Sequence, residues 1–276
     1  MTPVRAGVLG RPIRHSLSPV LHAAAYAEIG LPWTYDAHDV GEAELAGFLD
    51  GLDGSWAGLS LTMPLKRVAL DLLAWSTPRA RLAGAVNTVV IRRGRRLGAN
   101  TDVPGMVAAL AERGVTGAVR AGVVGGGATA ASALVALHDL GVREVVLVMR
   151  RPEAAGELGT LAQRLGVGLD VRPWQDAEVA LRAPVVVQTT PGTAAAGLAA
   201  ALPRRPGALF DVVYDPWPTP LAAAWRERGG PVVGGLDLLV HQAVLQIGLM
   251  TGRDVPAQRL VAAMRDAGTA ALRDRS

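Results

Sequence analysis

The chain has no cysteine among its 276 residues. Disulfides, thiolate nucleophiles and any cysteine-based zinc or iron–sulfur site are thereby excluded, and a reducing compartment suits it. Lysine is almost missing as well: the 28 basic residues include one lysine, Lys66, and every other is arginine. Aromatic residues reach only 4%. The tryptophans, Trp33, Trp56, Trp75, Trp174, Trp217 and Trp225, show no regular spacing and read as core or interface residues. No uninterrupted apolar run approaches the roughly 18 residues of a membrane span, and the N-terminus has no basic region followed by a long apolar stretch. The sequence therefore argues against a membrane protein and places the chain in the cytoplasm. Charge of one sign is not in large excess either. Against 24 acidic residues the net charge is +4, so the pI near 10.2 reflects arginine richness and does not imply nucleic acid.

What is present is ample apolar material: half the residues are hydrophobic, enough to bury the cores of two modest domains. Residues 4–9 read as a strand, 20–29 as a helix capped by Ser18 with Pro19 at its first position, and 33–37 as alternating strand. A helix over 42–52, a strand over 57–61 and a helix over 65–75 follow. Strands over 85–91 and 97–100 flank Arg92-Arg-Gly-Arg-Arg96, a hairpin tip with Gly94 supplying the permissive backbone. Residues 104–114 form a helix closed by glycine and bridge into a second domain. There, a buried strand over 121–124, a turn over 125–130, a helix over 131–140 and a strand over 144–148 make the βαβ unit of a dinucleotide-binding half. Further strands are expected over 185–187, 208–213 and 231–233, then helices over 236–250 and 256–267. The predicted fold is α/β in two domains. Residues 1–104 with 235–276 form an α/β substrate domain, residues 105–234 a Rossmann-like doubly wound domain, and the active site lies in the cleft.

Three stretches carry chemistry. The pattern Gly125-x-Gly127-x-x-Ala130 follows a strand and opens a helix, so Gly125, Gly126, Gly127, Ala128, Thr129 and Ala130 are the candidate pyrophosphate cradle. After the second strand of that unit, where an acid would accept from a ribose 2′-hydroxyl, stand Arg150 and Arg151; two guanidiniums there favour the 2′-phosphate of NADP. Lys66 is the third. Arginine cannot exchange protons near neutrality and lysine can, so one lysine kept among arginines points to proton handling. Asp102, at a strand-to-helix junction, is its candidate partner and would also suit a helix cap ahead of Pro104. His15 and His22 lack a ligand-like partner, so no metal site is expected. The arginines of the hairpin tip read as a solvated face.

The motifs Gly10-Arg-Pro-Ile-Arg-His-Ser-Leu-Ser-Pro19, Leu61-Thr-Met-Pro-Leu-Lys66, Gly84-Ala-Val-Asn-Thr88, Gly98-Ala-Asn-Thr-Asp102, Asp211-Val-Val-Tyr-Asp-Pro216 and the run from Gly235 to Gln242 occur in order. Together they resemble the shikimate dehydrogenase family over nearly the full length. The resemblance implies NADPH-dependent reduction of 3-dehydroshikimate to shikimate, with Lys66 and Asp102 at the proton. It implies that Ser16 and Ser18 take the substrate carboxylate, and that Thr62, Lys66, Asn87, Asp102, Tyr214 and Gln242 line the rest of the substrate pocket. Thr190, Val213 and Gly235 join the cofactor set on the same ground. Ser60 stands where the family commonly has asparagine, so quinate or an aminoshikimate is the alternative substrate; a non-catalytic NADP-binding protein is the alternative of another class. Partners are expected to be small molecules, and the chain a monomer or homodimer.

Overall fold

The computed structural model describes residues 4–192 and 194–275. It divides into two compact units, Met1–Asp102 with Leu239–Ser276, and Val103–Leu238; the sequence reading put the divisions at 104/105 and 234/235. In chain order the first unit begins with β1 (Val4–Gly10), α1 (Ser18–Glu28), β2 (Trp33–Asp39), α2 (Glu42–Asp50) and β3 (Trp56–Leu61). It continues with β4 (Trp75–Ser76), α3 (Pro78–Ala83), β5 (Thr88–Arg92) and β6 (Arg95–Ala99). Its sheet runs β2-β1-β3-β5-β6-β4. β1 pairs in parallel with β2 and β3, while β5 is antiparallel to both β3 and β6. This mixed sheet follows from the connections: helices return the early strands in parallel, and a tight hairpin must return β6 antiparallel to β5. Arg93 and Gly94 both take positive φ, 50° and 72°, as a two-residue hairpin turn of the twist-compatible hand requires. Leu9, Leu45, Leu59, Leu65 and Val89 form the core on one face.

Two local expectations fail. The helix expected over 65–75 is only a 3-10 turn, Val68–Leu72, after which Leu73 is extended and Trp75 pairs with Leu97 of β6. Strand pairing at the sheet edge outcompetes the apolar periodicity, and it leaves Trp75 47% exposed rather than in the core. Ser18 does not cap α1. It is the first helical residue after Leu17, and its own N–H donates to Ser16 Oγ at 3.2 Å.

The second unit starts within α4 (Asp102–Glu112) and contains β7 (Arg120–Val124), α5 (Ala128–Asp139), β8 (Glu144–Met149), α6 (Gly156–Leu165) and β9 (Gly168–Pro173). Then come α7 (Ala177–Leu181), β10 (Val185–Gln188), β11 (Ala208–Asp211), α8 (Pro220–Glu227) and β12 (Val232–Val233). The sheet is wholly parallel in the order β12-β11-β10-β7-β8-β9. Counted from β7 this is the doubly wound order of dinucleotide-binding folds, with its switch point between β7 and β10. β9 was not legible in sequence because it is an edge strand without a β-branched run, its Asp170 and Arg172 pairing with each other in solvent. Trp225, fully buried, anchors the core beside β11 and donates from Nε1 to the Gly207 carbonyl at 2.8 Å. The chain ends with α9 (Gly235–Thr251) and α10 (Ala257–Arg273), the latter packed on α1.

Candidate active site

Three segments of the first unit converge where β3 ends, β5 begins and β6 ends. Backbone bonds tie them: Leu61 N–H donates to Asn87 O at 2.8 Å, Asn87 N–H to Ala99 O at 3.1 Å, and Val86 N–H to Lys66 O at 2.7 Å. This brings Lys66, Asn87 and Asp102 together although they lie in separate sequence motifs. Lys66 Nζ donates to Asp102 Oδ2 at 2.8 Å, and the two side chains are 15% and 6% exposed. At that burial each charge compensates the other's loss of water, so removing one partner leaves the other uncompensated. Asn87 Nδ2 donates to the second carboxylate oxygen, Asp102 Oδ1, at 2.8 Å and faces Gln242 Oε1 at 3.4 Å.

The orientation of Asn87 is determined by its surroundings. Its Oδ1 accepts the Thr101 N–H at 2.7 Å and the Thr88 hydroxyl at 2.8 Å, so the amide nitrogen must face Asp102. Gln242 is held by donation from Nε2 to the Leu239 carbonyl at 2.8 Å. Ser16 and Ser18 sit at the entry to α1, Ser18 buried. Thr62 follows β3 directly, and its N–H donates to Leu9 O at 2.9 Å. Among the sequence-derived substrate residues, Tyr214 alone belongs to the second unit, after β11.

Four further polar residues of this neighbourhood were given no role from sequence, Tyr35, Thr88, Thr101 and Gln246, and they surround Ser60, which the sequence reading had tied to substrate choice. Tyr35 OH donates to Ser60 Oγ at 2.6 Å, and Ser60 donates to Gln246 Oε1 at 2.7 Å. Gln246 Nε2 donates to Thr88 Oγ1 at 3.0 Å and to the Asn87 carbonyl at 3.1 Å. The one signal available was the spacing of Gln242 and Gln246, four apart on a helix and so on one face. Burial pushes the Tyr35 phenol well above its ordinary range, with the Ser60 and Ser18 hydroxyls acting the other way, so it stays protonated as a donor. Behind it His22 stacks on the phenol at 3.7 Å and pairs its Nδ1 with the Ser18 carbonyl at 2.9 Å; burial pushes its ring down to about 4.

In the second unit the glycine-rich turn joins β7 to α5. Gly125 has φ +113°, and a Cβ there would lie 2.3 Å from Thr189 Oγ1; one on Gly126 would lie 2.6 Å from Met149 Cε. Gly125 is thus required by the turn itself, whereas at Gly126 the flexible end of Met149 would have to give way. A Cβ on Gly127 would project into open space, the approach a bound pyrophosphate needs. The helix begins at Ala128, earlier than the expected 131, with Gly127 at its cap. The Ala128, Thr129 and Ala130 N–H groups precede the first helical bond, Ala131 N–H to Gly127 O at 3.1 Å, and are free for an anion. Arg150 and Arg151 are exposed immediately after β8 and make no ion pair among the described residues. An open cradle of unpaired donors with two unpaired guanidiniums beyond the adjacent strand fits a dinucleotide carrying a 2′-phosphate.

The remaining cofactor candidates are satisfied internally. Thr190 directs both its N–H and its hydroxyl to Gln188 Oε1, while Gln188 Nε2 returns to the Thr190 carbonyl at 2.9 Å. Val213 N–H donates to Asp211 Oδ1 at 3.1 Å and its carbonyl accepts from Gly235. Asp211, buried and with its pKa raised by desolvation, also accepts from Thr219 Oγ1 at 2.6 Å. Gly235 has a packing reason: a Cβ there would lie 2.2 Å from the Val212 carbonyl oxygen. Among the described residues, no group of three or more His, Cys, Asp or Glu could hold a metal ion, and no helix is long and apolar enough to cross a membrane.

Comparison with known proteins bears on the whole arrangement. Residues 8–89 match the family model of the shikimate dehydrogenase substrate binding domain, and residues 235–267 that of the shikimate 5′-dehydrogenase C-terminal domain. A shikimate dehydrogenase (NADP(+)) of Methylobacterium radiotolerans is 39% identical over 87% of this chain and 88% of its own length. The solved shikimate dehydrogenase of Mycobacterium tuberculosis superposes with a TM-score of 0.87 at 42% identity, covering 96% of this chain and 100% of that one. That of Thermus thermophilus, solved in complex with NADP(H) and shikimate, gives 0.83 at 34% identity, covering 96% and 99%. With both terminal segments matched by the family's models and relatives this similar along most of its length, the chain belongs to the shikimate dehydrogenase family.

Proposed function

We propose that the chain catalyses the reversible NADPH-dependent reduction of 3-dehydroshikimate to shikimate, and that Lys66 and Asp102 handle the proton. The observation that carries this reading is the buried Lys66–Asp102 pair with Asn87 fixed against the second carboxylate oxygen. NADPH supplies the hydride when bound. The Gly125–Ala130 turn would hold its pyrophosphate, and Arg150 with Arg151 its 2′-phosphate. Lys66 would hydrogen-bond the oxygen on which negative charge develops, a stabilisation strongest in the transition state. Asp102 aims the ammonium, and the pair delivers the proton as one coupled unit. Ser16 and Ser18 would take the substrate carboxylate, Thr62, Lys66, Asn87, Asp102 and Gln242 its ring hydroxyls, and Tyr214 would join the same pocket.

Ser60 bears on the choice of substrate. Its proton goes to Gln246 and its oxygen accepts from Tyr35, so it is committed inside the protein. Discrimination against quinate and aminoshikimate is therefore assigned to Thr62, Asn87 and Gln242, and is measured as kcat/KM ratios on the three substrates. The decisive assay follows NADPH absorbance with 3-dehydroshikimate, using the parent and Lys66→Ala. Turnover by the parent and a fall in kcat on the order of a thousandfold in the variant, with KM little changed, are expected. No NADPH oxidation by the parent overturns the reading, and a variant near parent kcat removes Lys66 from the chemistry. The expectation of a cytoplasmic monomer or homodimer is checked by cell fractionation and sedimentation equilibrium.

A further inference from the structure

We infer that Tyr35, Ser60, Gln246 and Thr88 form a directional hydrogen-bond chain that positions Asn87 against Asp102, making Gln246 and Thr88 positioning residues for the reaction. The inference rests on the reading of Lys66 and Asp102 given above. All six residues, with Lys66, belong to the first unit, and Tyr35, Ser60, Thr88, Asn87, Asp102 and Gln246 are all buried.

The direction follows from counting protons. Tyr35 has one and gives it to Ser60 Oγ at 2.6 Å. Ser60 has one and gives it to Gln246 Oε1 at 2.7 Å, which identifies that atom as the oxygen and turns the Gln246 nitrogen the other way. Gln246 Nε2 then donates to Thr88 Oγ1 at 3.0 Å and to the Asn87 backbone oxygen at 3.1 Å. With its lone pair facing this donor, Thr88 directs its single proton to Asn87 Oδ1 at 2.8 Å. Asn87 Oδ1 now accepts from Thr88 and from the Thr101 N–H, with the Thr101 hydroxyl also at 3.1 Å, so the Nδ2 amino group is turned to Asp102 Oδ1 and also reaches Thr101 Oγ1 at 2.9 Å. Lys66 meets the other oxygen. Each link from Tyr35 to Gln246 and on to Thr88 has one sense; the Thr88 hydroxyl also lies 3.2 Å from Thr101 Oγ1, but its shorter contact is to Asn87 Oδ1, and the last link decides how Asp102 stands beside Lys66.

Buried chains of this kind couple their members, because a reversed or missing link leaves a desolvated donor or acceptor unpaired. Thr88 and Gln246 are 0% and 1% exposed, so neither is available to touch substrate. Their loss should therefore lower kcat and leave KM for 3-dehydroshikimate nearly unchanged.

Thr88→Val removes the proton and keeps the shape; Thr88→Ser restores the proton. The expected result is a fall in kcat per NADPH-binding site on the order of tenfold for valine, with KM within about twofold, and recovery with serine. Gln246→Glu is nearly isosteric and accepts from both Ser60 and Thr88, turning the Thr88 proton away from Asn87. Its expected loss of kcat is larger, on the order of a hundredfold. If these variants do not fold, Tyr35→Phe, which deletes one oxygen at the far end, carries the test with an expected loss of about threefold. A folded variant of the set that keeps parent kcat, or a Thr88→Val defect that Thr88→Ser does not repair, overturns the inference. Lys66→Ala in the same assay separates the two claims. If it turns over like the parent, the catalytic reading has failed; if it is inactive while Thr88→Val is unaffected, only the chain has failed.

Discussion

The candidate sites of the two units are built by opposite means. In the first, side chains hold one another: Lys66, Asp102 and Asn87 are each bonded to the next, and a second layer from Tyr35 to Thr88 orients the first. In the second, the glycine-rich turn works by what is missing, with Gly125 and Gly126 allowing close passage and Gly127 leaving open space before the free N–H groups of α5. The difference teaches what each kind of ligand demands. A proton must be placed at one atom, which needs oriented side chains packed to fraction-of-an-ångström accuracy. A pyrophosphate needs several donors and room, which backbone supplies once side chains are removed.

The contrast can be broken most strongly through His22, buried beneath Ser18 and stacked on Tyr35. Its pKa is lowered from 6.5 to about 4, so between those values the unfolded chain binds a proton that the folded one refuses. The stability it contributes is complete above its ordinary value and is lost as pH falls through 6.5 toward 4. At about 1.36 kcal/mol per pH unit, the loss is on the order of 3 kcal/mol. Chemical denaturation across this range should show the slope, and His22→Phe should flatten it; an unchanged slope would place the proton uptake elsewhere.

A smaller effect sharpens the other side of the comparison. Gly125→Ala puts a Cβ against Thr189 at positive φ and should cost about 1–3 kcal/mol in strain. It should lower both Tm and NADPH affinity, whereas Gly127→Ala, with space for its methyl, should weaken NADPH binding at unchanged Tm. Equal Tm losses in the two variants would contradict the division of roles within the turn. The mildest change is Arg150→Ala, expected to raise KM for NADPH about tenfold, as for one lost charge-assisted contact, with little change for NADH. Equal effects on both cofactors would refute a 2′-phosphate role.

Much of the second unit was legible because its signals are local. A strand, three glycines and a helix lie within twenty residues, and the backbone needs no distant partner to make the turn. The hairpin at Arg93 and Gly94 was legible for the same reason. Failures came where a distant partner decided the outcome. Residues 65–75 carry helical periodicity yet end in a strand because β6 offers an edge at Leu97. Residues 168–173 make an edge strand whose side chains remain largely in water, so apolar alternation never marked it.

The sequence by itself determined that Lys66 is the one lysine among arginines, which makes it a candidate for proton handling, and that cysteine chemistry plays no part. It also determined where the backbone must pass through conformations that only glycine adopts readily. Only the tertiary structure decided which groups surround Lys66 and Asp102 and in which direction their protons point. Ser60 meets Gln246 across 186 residues and Asn87 meets Asp102 across 15. Hydrogen-bond direction depends on every partner being present at once, and a sequence brings such partners together only when it folds.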